Sequence, residues 1–195
     1  EMITIRAKAQ FYAFAEAEKS DYDMMNFKSV SSRENLFLNI NTSDLSVIGV
    51  ENVTLSDTQK VILFPYDKIV NINENRNIKT YGDLAAGQMD FVGGNYSFEY
   101  DPFTVKIDSA NKMFLYVREE EQFRDGTVFK TKKVKTPIEN VNGMLYIDNP
   151  NNKSGKNPVE DLPKFTTNGS SYIFFDNSDL FADAYDRDRF YFEID

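Results

Sequence analysis

The 195-residue chain contains no cysteine, no histidine and no tryptophan. Without cysteine there are no disulfides, thiolate metal sites, iron–sulfur clusters or thiol nucleophiles. Without histidine the usual general base, the commonest zinc and iron ligand and the Ser-His-Asp arrangement are gone as well. Long apolar runs are also missing: no stretch approaches the roughly 18–20 residues of a membrane-spanning helix, and the N-terminus lacks the basic, apolar, small-residue order of a signal peptide. These absences predict a soluble protein without signal or transmembrane segment. Either the protein is intracellular or its targeting segment lies outside this sequence, and the opening Glu1-Met2, which reads as a cloning remnant before a natural start, favours the first. Phosphate-binding glycine loops are absent too, since 152–156 lacks an upstream glycine and Gly82 to Gly94 has no dinucleotide-binding spacing.

What is present points to strands. Hydrophobic residues make up 41% of the chain, enough for a core, and the 17 Phe and 11 Tyr fit pleated strands better than helices. A net charge of −9 and a pI near 4.7 repel phosphate backbones and anionic lipid surfaces. Membrane and nucleic-acid partners are therefore not expected. No internal repeat and no clean linker breaks the chain, so 1–195 is read as one β-rich domain.

Along the chain, residues 3–17 place an apolar side chain at every odd position, the period of a strand; the abundance of Ala, Glu, Lys and Gln makes a helix over 7–19 the competing reading. Residues 20–34 read as a loop. Strands follow at 35–40, 45–55 and 60–72, with Pro65 implying an edge or bulge. Residues 71–77 read as a loop, and 81–86 as a single helical turn ended by Gly87. The pair Gly93-Gly94 between 88–92 and 95–100 predicts a tight hairpin. Residues 103–108 alternate and lead through 109–112 into 113–123. Further strands are expected at 143–147, 171–175 and 189–194, with a loop over 148–163 and a short helix over 179–185 capped by Ser178. The fold class is thus mainly β: an antiparallel sheet or sandwich of meander type, with a projecting β-hairpin and one or two short helices.

That hairpin joins 113–124 to 127–136 through Asp125-Gly126. A two-residue turn there sets Phe123 opposite Val128, Glu121 opposite Lys130, Glu119 opposite Lys132 and Val117 opposite Val134, so acid meets base and apolar meets apolar. Its outer part is charged on both faces, with Glu119, Glu121, Lys130 and Lys132 on one and Arg118, Glu120 and Lys133 on the other. Such a segment gains nothing from burial and is expected to leave the body.

Four constellations compete for a function. The basic run at Lys130, Lys132, Lys133 and Lys135 invites nucleic acid, but Glu119 and Glu121 neutralise two of the four lysines. The acidic series Asp176, Asp179, Asp183, Asp186 and Asp188 offers hard oxygen ligands without the spacing of a calcium loop, and Asp148, Asn151 and Asn152 are weaker still. Carboxylate pairs for glycoside cleavage can be drawn from 31 acids in too many ways to choose among them. Asn-x-Ser/Thr triplets at Asn41, Asn52, Asn95, Asn152 and Asn168 are covered by the abundance of these residues. No catalytic, cofactor-binding or metal-ligating residue is assigned. The reading that remains is a non-enzymatic structural or assembly protein, self-associating or part of a larger assembly, with Glu119, Glu121, Asp125, Gly126, Lys130, Lys132 and Lys133 as contact residues. Its rivals are a β module that binds carbohydrate or peptide through surface Tyr and Phe, then a carboxylate-dependent glycoside hydrolase.

Overall fold

The computed structural model describes residues 4–7, 25–30, 34–123, 126–157, 159–174, 187 and 189–194. Among them every regular element is a strand: β1 (Thr4–Ala7), β2 (Asn26–Ser29), β3 (Leu36–Asn39), β4 (Asp44–Ile48), β5 (Val50–Ser56), β6 (Val61–Pro65), β7 (Ile69–Ile72), β8 (Ile78–Ala86), β9 (Met89–Glu99), β10 (Thr104–Phe123), β11 (Gly126–Lys133), β12 (Ile138–Tyr146), β13 (Lys164–Thr167), β14 (Ser171–Phe174) and β15 (Tyr191–Ile194). They pair antiparallel throughout, as one connected sheet.

The sheet forks because its long strands each serve two shorter ones placed end to end. β8 pairs with β7 through Ile78 and Lys79, then with β6 through Gly82–Ala86. From this fork one arm continues through β4 and β3 to β1, the other through β5 to β2. β9 lies between β8 and β10. β10 carries β12 along 104–113 and β11 along 116–123, and β12 in turn carries β13 and β14.

Period-two alternation explains why these segments are strands. In β8, Ile78, Leu84 and Ala86 are buried while Lys79 and Tyr81 face out; in β10, Val105 and Ile107 are buried while Lys106 is exposed. Both arms feed one core, in which Phe27, Val53 and Leu63 meet Leu36, Val47 and Val70. Each such side chain contributes about 1.5–3 kcal/mol by leaving water. Phe98 packs edge-on against Tyr100 and Phe103, and Phe91 against Phe165 of β13.

Several expectations are corrected. Residues 81–86 form part of β8 and not a helical turn: the small residues that resemble a helix alternate inward at Gly82, Leu84 and Ala86. Gly93-Gly94 is not a hairpin turn but the middle of β9. Gly93, at φ +64°, is the extra residue of a bulge, since Val92 and Gly93 together oppose Asp83 between the rungs Gly82↔Gly94 and Leu84↔Phe91. Gly94 makes room for the Tyr96 ring, because a Cβ there would lie 2.5 Å from Tyr96 Oη and 2.6 Å from the Ser109 carbonyl oxygen. Residues 109–112 belong to the unbroken β10, whose register slips by one at Asp108. The expected strands 45–55 and 60–72 each divide in two, at Gly49 and at the 66–68 turn; β2 lies where a loop was read, and β13 follows the expected 148–163 loop in a stretch given no element. Pro65 ends β6 opposite Gly82, beyond the last rung with β5, so its missing N–H costs no ladder bond. Of the expected 3–17 strand only β1 is described. The 179–185 helix lies outside the described residues, and no helix is found among those described.

Candidate functional site

The hairpin begins where the sheet ends. β9 makes its last rung with β10 at Met89↔Leu115, and β12 makes its own at Ile138↔Met113. Tyr116 N–H still donates to the Gln88 carbonyl (2.9 Å) and Val134 N–H to the Leu115 carbonyl (2.8 Å). From Tyr116 to Phe123, β10 pairs among the described residues with β11 alone, over a length of about 25 Å. Val117 is 48% exposed, and Arg118, Glu119, Glu120, Lys130, Thr131 and Lys132 are exposed as well.

The register is two residues away from the expected one. Phe123 pairs with Gly126, Glu121 with Val128, Glu119 with Lys130 and Val117 with Lys132. Gly126 is thus the first residue of β11, not the second residue of the turn; Asp125 lies outside the described residues. The physical reason is repulsion. The expected register would have put Arg118 directly opposite Lys133, whereas the observed one gives Arg118 a Thr131 partner and Lys133 a Tyr116 partner. A shift of two preserves the faces, so Glu119 still meets Lys132, now on the diagonal, with Oε1 and Nζ 3.2 Å apart.

Lys133 does not belong to the tip. Its ammonium lies 3.9 Å from the Phe114 ring centre and 3.5 Å from Asp90 Oδ2, which also accepts the Tyr116 hydroxyl at 2.5 Å. That hydrogen bond, with some desolvation, raises the Tyr116 phenol above its ordinary pKa. A second tyrosine–aspartate pair sits two strands away, where Asp83 Oδ1 accepts both the Tyr66 hydroxyl (2.5 Å) and the Gly93 N–H of the bulge (2.9 Å). Asp83 holds the Tyr66 proton so firmly that the phenol is pushed up to about 12. Tyr66 meets Tyr81 edge to face, 5.3 Å between ring centres, and both rings are half exposed. Sequence reasoning missed these four partners. Each aspartate is separated from its tyrosine by 17 or 26 residues, and only the strand register unites them.

The weak metal reading at Asp148 and Asn152 is answered by their hydrogen bonds. Asp148 is buried and takes Gln59 Nε2, Asn152 Nδ2 and the Asn149 N–H, while the Asn152 amide also binds Asn157 at both its N–H and its carbonyl. Amide hydrogens directed at the carboxylate occupy the positions a cation would need. The acidic series from Asp176 to Asp188 lies outside the described residues, and among the described ones no group of three acidic side chains converges on a point.

Comparison with protein-family models, curated proteins and solved structures finds no match. The site must therefore be interpreted from its own chemistry.

Proposed function

We propose that this chain is a non-enzymatic assembly protein that contacts a neighbouring subunit through the β10–β11 hairpin. The observation that carries this reading is the section of β10 from Tyr116 to Phe123, which among the described residues has β11 as its only strand partner and stands clear of the core it would otherwise help to build. Charge supports a second copy as the neighbour. Residues 116–133 carry five basic and four acidic groups in a chain of net charge −9, so the rest of the sequence carries the acidity and the hairpin is its mildly basic complement. A hairpin of one copy seated on the body of the next makes a head-to-tail contact, which closes into a ring or continues as a filament.

Sedimentation tests the reading. The parent is expected to associate at micromolar concentration. Lys130→Glu combined with Lys132→Glu should weaken that association while leaving the melting temperature within a few degrees, because exposed pairs contribute about 1 kcal/mol or less. Adding Glu119→Lys and Glu121→Lys should restore part of it. A monomeric parent, or a double variant that assembles unchanged, removes the hairpin from the functional account.

A further inference from the structure

We infer that the outer face of β6, β8, β9 and β10, beside the hairpin root, is a binding site for a neutral carbohydrate. This site is separate from the hairpin tip and does not depend on the assembly reading. The strand register assembles it: Phe64 is opposite Asp83, Ala85 opposite Asp90, and Asp90 opposite Phe114. Phe64, Asp83, Ala85 and Asp90, together with Val92 and Lys133, line a cavity of about 450 Å³, a size suited to a short oligosaccharide.

Three properties select the ligand. First, both carboxylates are held in place, each by one oxygen. Asp83 Oδ1 is taken by Tyr66 and Gly93, and Asp90 Oδ2 by Tyr116 and Lys133, whereas Asp83 Oδ2 and Asp90 Oδ1 accept no hydrogen bond among the described residues. Stationary acceptors of this kind suit sugar hydroxyls, which are donors. Second, Phe64 of the lining is 37% exposed, and Tyr66, bonded to Asp83 of the lining, and Tyr81, packed on Tyr66, are 51% and 50% exposed; an aromatic face stacks against the C–H side of a pyranose. Third, the alternatives fit poorly. Two carboxylates repel phosphates and nucleic acids. The Lys133 ammonium beside Asp90 competes with a metal ion. An extended peptide needs a sheet edge, yet β6, β8 and β9 are each paired on both sides.

The experiment is calorimetric titration of the full chain with cello-, xylo-, manno-, malto-, laminari- and chito-oligosaccharides, with tyrosine fluorescence as a second readout. At least one should bind with a dissociation constant in the micromolar to millimolar range. Tyr66→Ala with Tyr81→Ala should weaken that binding at least about tenfold; both rings are half exposed, so the melting temperature and the sedimentation behaviour should stay those of the parent. Phe64→Ala provides a second variant of the same face. Absence of binding by the folded parent at millimolar sugar overturns the proposal, as does binding undiminished in these variants. Release of reducing ends would show a catalytic site and overturn it equally.

Discussion

The two halves of β10 obey different rules although no break separates them. From Thr104 to Met113 the strand has neighbours on both edges and a core under one face, and its buried residues include Val105, Ile107 and Ala110. From Tyr116 to Phe123 it has a single neighbour among the described residues, and the side chains from Val117 to Glu120 are exposed. Burial makes the first half responsible for stability. In the second half the backbone ladder supplies the shape, which leaves its surface free to be specified by contacts beyond the chain.

The largest effect that sharpens this comparison is expected at Phe98, fully buried on the β9 strand that pairs with the inner half of β10. Phe98→Ala should cost about 3–5 kcal/mol in urea denaturation, while Val117→Ala, on the outer half, should stay within about 0.5 kcal/mol. Equal costs would mean that the outer half is packed after all. Next comes Gly94→Ala, whose Cβ has to displace the Tyr96 ring or the β10 backbone at Ser109; about 1–3 kcal/mol is expected, read in the same way. The smallest effect concerns pH. The Tyr66 phenol is held at about 12 by Asp83, above its unfolded value near 10, so its contribution is complete below pH 10 and is lost as pH rises towards 12. Absorbance titration should show a late-ionising tyrosine that returns towards 10 in Asp83→Asn, and a parent titrating at 10 would dissolve the pair.

These contrasts also explain what could be read from the sequence. Strand content and the alternation at 103–108 were legible because a covered face imposes period two. The faces of the hairpin were legible for the same reason, but its register was not: turn preference and cross-strand pairing agreed on a register two residues away, and only Arg118 facing Lys133 spoke against it. Gly93-Gly94 misled because a positive φ serves a bulge as well as a turn, and the deciding partner, Asp83, lies on another strand. The tyrosine–aspartate face was illegible for the broader reason that it belongs to no single segment.

The fork at β8 has a consequence for how the molecule breathes. The β7–β4–β3 arm and the β6–β5–β2 arm hang from successive stretches of one strand, so either can detach from the β8 ladder while the other keeps its rungs. Amide hydrogen exchange should therefore resolve two sub-global openings of different free energy, with the slowest protons on β8, β9 and the inner half of β10, which exchange only when the whole chain unfolds.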